Sequence, residues 1–292
     1  MGKNKNKNFY ELVFSRECSV PAMEVWYIAE NDFLFKILGK KLPKSGYMFF
    51  EYENGIAKNY LDMKMVEKFY GDIIKATLIN SNYFYDIEKI FWSHFKKIKK
   101  YLAGKAIISN TKELKIFFKE VFCAWGAMVP SYWIAYFNSP LLPNSIIKRS
   151  EKIRLAIENI IFDFDHIFTK ALKTIYKNNF YPDLIYATFN EIIENKIPGS
   201  KILKQRRAYS IYFKNKLFLD YLKVFLKKTK KNVQEIKNLE NITKLKGIPA
   251  FRGFVEGITN LILSSKEIEK FKNGEILVAP NTSPAYMPAI IK

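Results

Sequence analysis

The sequence is poor in the residues that build disulfides and metal sites. Its 292 residues include two cysteines, Cys18 and Cys123, and two histidines, His94 and His166. The cysteines are far apart in the chain and have no histidines at metal-ligand spacing, so the sequence indicates neither a disulfide framework nor a zinc site. Sparse cysteine is typical of proteins in a reducing compartment, and we expect the chain to be cytoplasmic.

Long apolar runs are also few. The N-terminus, residues 1–8, is basic and polar, and no apolar stretch of signal-peptide length follows it. Residues 121–137 are uncharged, but this length is at the short limit of a membrane span, and the segment contains Gly126 and Pro130. We therefore predict a buried helix that is kinked or broken near Pro130, and no membrane association.

Acidic residues are outnumbered. The chain has 48 Lys and Arg against 28 Asp and Glu, which gives a net charge of +20. Residues 243–292 hold seven basic and four acidic residues, so +17 of the excess lies in the first 242 residues. Lysine supplies most of it, together with many Asn, Ile, Tyr and Phe residues. An A+T-rich genome produces this composition without selection for binding, and we favour that explanation over a polyanion-binding surface.

What the sequence has in quantity is helical periodicity. Its 49% hydrophobic content is enough for a packed core, and apolar residues recur three and four positions apart through most of residues 10–200. Amphipathic helices are predicted over residues 86–102, 111–124 and 145–176, and a shorter helix over residues 184–195. We therefore predict an α+β fold that begins with a mostly helical linker-type domain, residues 1–200.

Strand signals follow the helical region. Residues 206–213 and 216–222 flank a short polar turn at Lys214-Asn215, which predicts a β-hairpin. The Lys-rich residues 223–241 predict an exposed connection, so the hairpin and its connection form a second unit, residues 201–242. In the third unit, residues 243–292, strands are predicted over 253–263 and 275–279, a short helix over 265–271, and a turn leading into another helix over 283–291.

The third unit carries a family resemblance. Its Gly-Ile-Pro-Ala run at 247–250, Arg252-Gly253, Gly257, and the segment 274–288 with Gly-Glu-Ile-Leu-Val-Ala-Pro and Thr-Ser-Pro resemble the opening of the phosphohistidine swivelling domain of phosphoenolpyruvate-utilising enzymes. This family includes phosphoenolpyruvate synthase (pyruvate, water dikinase). The resemblance implies a β/β/α swivelling domain, here truncated, after a helical linker with a hairpin near its end. Arg206, Arg207 and Tyr209 loosely match the Arg-x-x-Tyr-like start of that hairpin.

The resemblance also implies an activity. In such a phosphotransferase, a kinase-type transfer from ATP phosphorylates a histidine, and the histidine passes the phosphoryl group to pyruvate or another acceptor. The histidine lies in a Thr-x-His-Ala segment beyond a glycine-rich loop, and neither occurs in this sequence. ATP and Mg are implied only for the intact enzyme, whose ATP-binding domain and barrel would come from other chains or segments. We therefore expect no catalytic, cofactor-binding or metal residue here, and a fragment or split subunit that is inactive alone. A split subunit, a decayed gene and an incomplete frame all stay open.

The two histidines present are weak candidates for a phosphoryl carrier. His94 and His166 each lie in the middle of a predicted helix without a glycine loop, so we expect structural or merely exposed roles. Asp163, Asp165 and His166 resemble a metal-ligand group, because positions 163 and 166 share a helix face. We favour a solvated helix face or a local cap.

The alternative function is a basic helical protein that binds nucleic acid or another partner without catalysis. Residues 214–231 hold seven lysines and one acid, Asp220, with interleaved aromatic residues. Such segments can bind single strands through phosphate contact and stacking. We favour instead core aromatic residues with a solvated lysine face, because a hairpin here buries much of the aromatic surface.

Two expectations concern the end of the chain. Thr282 and Ser283, before Pro284, are predicted to cap the next helix; in the resembling enzymes this segment lies near the phosphohistidine. A swivelling domain without its following strands exposes a sheet edge and an apolar face. We therefore expect residues 243–292 to be loosely ordered or completed by a partner.

Overall fold

The computed structural model describes residues 9–30, 46–137, 139–157, 160–233, 253–262, 265–279 and 289. They combine helices and sheets, which confirms the α+β class predicted from the sequence. In chain order, the elements before residue 180 are β1 (Phe9–Glu17), α1 (Val20–Ile28), β2 (Met48–Glu53), β3 (Ile56–Leu61), α2 (Met63–Ile79), α3 (Asn82–Leu102), α4 (Thr111–Phe137), α5 (Asn144–Ile157), α6 (Ile160–Tyr176) and a 3-10 helix (Lys177–Asn179). The later elements are a 3-10 helix (Pro182–Tyr186), α7 (Phe189–Ile193), α8 (Ser200–Ala208), β4 (Tyr209–Phe213), β5 (Lys216–Phe218), α9 (Leu222–Thr229), β6 (Asn232–Val233), β7 (Thr259–Leu261), a 3-10 helix (Ser265–Lys270) and β8 (Ile276–Val278).

A six-stranded sheet organises the larger part of the chain, with strand order β5-β4-β2-β3-β1-β6. The β1–β6 pair is parallel and the other pairs are antiparallel. The prediction of helix through most of residues 10–200 was therefore wrong for β1, β2 and β3. These strands lack the strict alternation of apolar and polar residues, since five of the six β2 residues are buried.

The turn between β2 and β3 is built by Asn54-Gly55. Both residues have a positive φ, 52° and 87°, as a two-residue hairpin turn that follows the twist of the strands requires. Gly55 also lies against another part of the chain, because a Cβ atom there would come within 2.9 Å of the Tyr186 hydroxyl. This position therefore favours glycine both for its backbone angle and for the close approach.

The predicted β-hairpin is present, and it is shorter than expected. β4 and β5 pair antiparallel on either side of Lys214 and Asn215, which both have positive φ. Residues 206–208 belong instead to α8, and Leu222 begins α9. β4 also pairs with β2, with Phe50 opposite Tyr212 and Tyr52 opposite Ser210. The hairpin thus continues the sheet of the N-terminal strands. Residues 234–252 lie outside the described residues, and they include the second half of the predicted connection, residues 234–241.

Aromatic side chains cover both faces of the sheet. On one face Trp26 of α1 has ring-centroid distances of 4.8 Å to Phe14, 5.9 Å to Phe50 and 4.9 Å to Trp125 of α4. On the other face Phe225 of α9 lies 5.3 Å from Phe49 and 5.5 Å from Phe213. Aromatic pairs at these distances stabilise a core beyond the area they bury.

The predicted amphipathic helices are present in α3 to α6. In α3 the stripe Ile87, Phe91, Phe95 and Ile98 is buried, as its spacing predicts. α4 contains the segment 121–137 and is not broken at Pro130; the buried neighbours Met128, Val129 and Ile134 hold it in the core. The predicted helix over 145–176 is covered by α5 and α6, with residues 158–159 outside the described part. Of the helices described, none is sufficiently long and apolar to cross a membrane.

Two buried carboxyl groups link α1 to its surroundings. Glu24 accepts a hydrogen bond from the backbone N–H of Phe189, the first residue of α7, at 2.6 Å. Burial raises the pKa of Glu24 from 4.5 to about 8. Glu30, just after α1, accepts hydrogen bonds from the Trp26 indole N–H and the Tyr47 hydroxyl, and burial raises its pKa to about 7. In the folded protein, burial thus favours the neutral form of both carboxyl groups.

Glu24→Gln is expected to weaken the pH dependence of stability. The folded-state pKa lies above the unfolded value, so the contribution of Glu24 is fully present below pH 4.5 and is lost as the pH rises to about 8. One such group changes the free energy of unfolding by up to about 1.4 kcal/mol per pH unit. Urea unfolding between pH 5 and 8 measures the slope. Glu67→Gln, at an exposed position of α2, is the matched control, and equal slopes in Glu24→Gln and the unsubstituted protein would contradict the assignment.

Candidate functional site

The C-terminal described residues form a small unit around a parallel strand pair. β7 and β8 pair in register Thr259 with Ile276, Asn260 with Leu277 and Leu261 with Val278. The hydrogen bonds extend past both ends of β7, because Ile276 N–H donates to Ile258 O at 2.8 Å and Ile262 N–H donates to Val278 O at 2.9 Å. The 3-10 helix Ser265–Lys270 lies between the two strands in the chain. This strand–helix–strand order agrees with the predicted local elements.

The unit has its own small core on one side of the strand pair. Ile262, Ile268, Phe271 and Ala289 are buried together, and Leu277 and Ala279 pack against them. These residues do not join the large core of the six-stranded sheet. Since side chains alternate along a strand, residues 260 and 262 face this core and residue 261 faces away.

The opposite side of the strand pair is apolar and open. Leu261 and Val278 are paired in register, and they are 59% and 42% exposed. In the residues that lead into β7, Phe254 is 92%, Val255 73% and Ile258 76% exposed. Neighbouring exposed apolar residues mark surfaces that contact another segment or protein. We call the exposed pair Leu261 and Val278 the open face; Phe254, Val255 and Ile258 precede β7 and add exposed apolar surface to this unit.

Two glycines of this unit have structural roles. Gly274 has φ +83°, in the turn before β8. A Cβ atom on Gly257 would lie 3.4 Å from the Gly274 carbonyl oxygen, so the two segments approach closely. The carboxylate of Glu275 accepts hydrogen bonds from Asn260 Nδ2 at 2.8 Å and Lys272 N–H at 2.9 Å and holds the turn beside β7.

Several residues that carry the family resemblance lie outside the described part of the chain. They are residues 247–250, Arg252, and residues 280–288, which include Thr282 and Ser283. The predicted capping role of Thr282 and Ser283 therefore stays a prediction. The strand predicted over 253–263 is limited to Thr259–Leu261; residues 253–258 and 262 are not part of a strand, and residue 263 lies outside the described residues.

His94 is held in an ion-pair network between two helices. Its Nδ1 lies 2.5 Å from Oε2 of Glu120, and Lys97 Nζ lies 3.0 Å from the other oxygen. Hydrogen bonds from His94 and Lys97 keep the pKa of the buried Glu120 carboxyl below its ordinary value. The pair joins α3 to α4, in agreement with the structural role expected of His94.

The group Asp163, Asp165 and His166 is divided by the structure. His166 is exposed on α6. Asp165 accepts hydrogen bonds from the Ser19 hydroxyl at 2.6 Å and the Ser19 N–H at 3.2 Å, just before α1, and burial raises the pKa of its carboxyl. Asp165 therefore supports the start of α1 through a contact 146 positions away in the chain. The exposed His166 agrees with the solvated helix face that we favoured, whereas Asp165 is neither on a solvated face nor a local cap.

The Lys-rich segment 214–231 places its aromatic residues mainly in the core. Phe225 of α9 is buried against Phe49 and Phe213, while Lys228 forms a surface pair with Asp220 at 2.9 Å. Lys231 lies 4.3 Å from the Tyr10 ring centroid, and burial lowers its pKa to about 8. This arrangement agrees with core aromatics beneath a solvated lysine face. Tyr221 is the exception, at 62% exposure.

The arginines of the loose Arg-x-x-Tyr match stabilise the helical part. Arg206 donates two hydrogen bonds to Glu191, at 2.6 and 2.8 Å, and one to the Tyr186 carbonyl at 3.3 Å. Arg207 lies 3.6 Å from Asp183, and Tyr209 begins β4. These contacts bind α8 to α7 and to the preceding 3-10 helix.

ATP and Mg are implied by the resemblance only for the intact enzyme, and no sequence motif assigns them to residues of this chain. The sequence has neither a Gly-x-Gly-x-x-Gly nor a Walker pattern. Within the described ranges, His, Cys, Asp and Glu side chains form no group of three or more that could hold a metal ion.

Comparison with known protein families, with curated proteins and with solved structures gave no match for this chain. Function is therefore argued from the residues and their geometry. The sequence pointed to the C-terminal unit through its glycine and proline spacing. It did not identify Leu261 and Val278 as outward-facing, although the alternation Asn260, Leu261, Ile262 carries that signal.

Amides of β7 and β8 are expected to exchange with solvent at least about 100-fold faster than those of β2 and β3 in this chain alone. A short two-stranded pair covered on one side opens by local fluctuation, whereas β2 and β3 are central strands of a covered sheet. Hydrogen exchange with mass spectrometry measures both. Equal protection of the two strand pairs would contradict a C-terminal pair that is covered on one side only.

Proposed function

We propose that this chain is the helical linker region and the first part of the phosphohistidine swivelling domain of a phosphotransferase resembling phosphoenolpyruvate synthase. The observation that carries the proposal is the parallel pair of β7 and β8 with its open face. The resemblance calls for strands and a short helix at this point of the chain, and the unit has its own small core.

The open face supports a unit that is completed by further segments. One side of the strand pair buries Ile262, Ile268 and Phe271, and the other presents Leu261 and Val278 to solvent. Additional strands of a swivelling domain would cover such a face and pair with the free strand edges. They are to be supplied by a further segment or by another chain.

The chemistry of a phosphoryl carrier also calls for a further segment. The carrier needs an imidazole nitrogen that is exposed on a rigid platform, with backbone N–H groups close by for the phosphate. His94 has its Nδ1 2.5 Å from Glu120 within a helix pair, and His166 lies exposed on α6 without a glycine loop. In this proposal neither is the carrier, and the chain supplies the base on which the carrier segment is assembled.

The decisive observation is the nucleotide sequence beyond codon 292. The proposal expects a continuing frame, or a neighbouring gene, that encodes a Gly-Gly-x-Thr-x-His segment. If neither encodes such a segment, the proposal is wrong and the C-terminal unit needs another explanation.

The chain alone is expected to take up no phosphate on histidine. It is incubated with ³²P-labelled ATP or phosphoenolpyruvate and Mg, and acid-labile, base-stable label is measured. An established phosphohistidine protein with its own donor serves as the positive control. Label that disappears in His94→Gln or in His166→Gln would show a carrier within this chain and would overturn the assignment.

A further inference from the structure

A groove between α3 and α5 combines cations with aromatic rings. Its volume is about 530 Å³, and its walls are formed by Tyr85, Glu88, Lys89 and Trp92 of α3 and by Arg149 and Lys152 of α5. The α3 residues are three, four and seven positions apart, so they share one helix face, as do Arg149 and Lys152. The groove is distinct from the C-terminal unit and from the ion pair of His94.

Glu88 orders the groove from inside its wall. Only 8% of this residue is exposed. One carboxylate oxygen accepts from Arg149 Nε at 2.8 Å and from its terminal nitrogen at 2.5 Å, and the other accepts from Trp92 Nε1 at 3.4 Å. Glu88 thus positions a guanidinium and an indole beside each other, and it raises the pKa of Arg149.

The remaining charge of the groove is positive. Glu88 is paired with Arg149, and among the described residues Lys89 and Lys152 take part in no ion pair. Lys152 Nζ lies 5.7 Å from the Trp92 ring centroid, and the Arg149 guanidinium lies 5.2 Å from that of Tyr85. Each aromatic ring of the groove therefore has a cation beside it.

This combination favours an anionic ligand with a flat ring. A phosphate is bound by lysine and arginine, and a planar base stacks on an aromatic ring or a guanidinium plane. The volume lies within the range of about 300 to 1,000 Å³ that is usual for small-ligand sites. We propose that the groove binds a nucleoside phosphate, with its phosphate at Arg149 and Lys152 and its base against Tyr85 and Trp92.

The nucleoside phosphate has two possible sources, a free nucleotide and a unit of single-stranded nucleic acid. Titration with AMP and with a dT oligonucleotide distinguishes them, read by tryptophan fluorescence at low salt. If the groove binds AMP at least as tightly as the oligonucleotide, the ligand is a free nucleotide. Tighter oligonucleotide binding that falls steeply with salt identifies a single strand. Inorganic phosphate is the third probe. The proposal fails if neither AMP nor the oligonucleotide binds, or if phosphate alone binds as tightly as AMP.

Substitutions at the rim test the location. Lys152→Gln is expected to weaken binding of the preferred nucleotide probe by roughly tenfold, the loss expected for one hydrogen bond to a charged group. With an oligonucleotide, the same substitution is expected to reduce the slope of log affinity against log salt concentration by about 0.7. Lys152 pairs with no described carboxylate, so its removal leaves no buried charge. Trp92→Phe, which keeps a ring, is expected to remove the fluorescence response while retaining binding measured by calorimetry.

Lys201→Gln is the matched control, because Lys201 is exposed on α8 and is not part of the groove wall. It removes the same charge and is expected to leave affinity unchanged. Circular dichroism of each variant verifies the fold. Equal affinities of Lys152→Gln and Lys201→Gln would show that binding follows net charge alone and would overturn the assignment of this groove.

Discussion

The pairing of β2 with β4 is the constraint on which the rest of the structure depends. It joins the N-terminal strands to a hairpin that follows the whole helical layer, with Phe50 opposite Tyr212 and Glu51 opposite Ile211. The hairpin is followed by α9, whose Phe225 covers the sheet face opposite Trp26. Without this pairing β2 would be an edge strand, and Phe49 would lose its cover. The closure of such distant segments costs chain entropy, and the aromatic core on both faces offsets that cost.

Local signals in the sequence predicted local elements. The α3 stripe follows from residues spaced three and four apart, and the hairpin at Lys214-Asn215 follows from its polar turn. β2 and β3 were missed because both faces of the sheet are covered, so apolar residues do not alternate with polar ones. Their polar residues misled as well, since Glu51 is 8% and Asn59 1% exposed. The Asn54-Gly55 dipeptide was the available signal, because that pair is typical of a two-residue hairpin turn.

The two candidate sites differ in how far a sequence can reveal them. The C-terminal unit is built from neighbouring residues, so local strand and turn signals predicted a strand around β7, a short helix after it and a strand around β8. The groove requires Glu88 and Arg149, which are 61 positions apart in the chain. Its α3 residues alternate with the solvated lysines of the same helix, and periodicity alone assigns them to a surface. Only the packing of α5 against α3 turns that surface into a groove.

The distribution of acids explains how a protein of net charge +20 can hold a selective surface. Glu24, Glu88 and Glu120 are buried and connect helices, whereas the lysines of α3 are exposed. Glu88 and Glu120 pair with Arg149 and Lys97, and among the described residues the other lysines of α3 take part in no ion pair. Net charge then attracts anions over much of the molecule and distinguishes none of them. Discrimination arises where a buried acid fixes a cation beside an aromatic ring, and Glu88 does this for Arg149 and Trp92. The selectivity of the groove is thus set by one carboxylate within its wall, while its attraction for anions is shared with the whole basic surface.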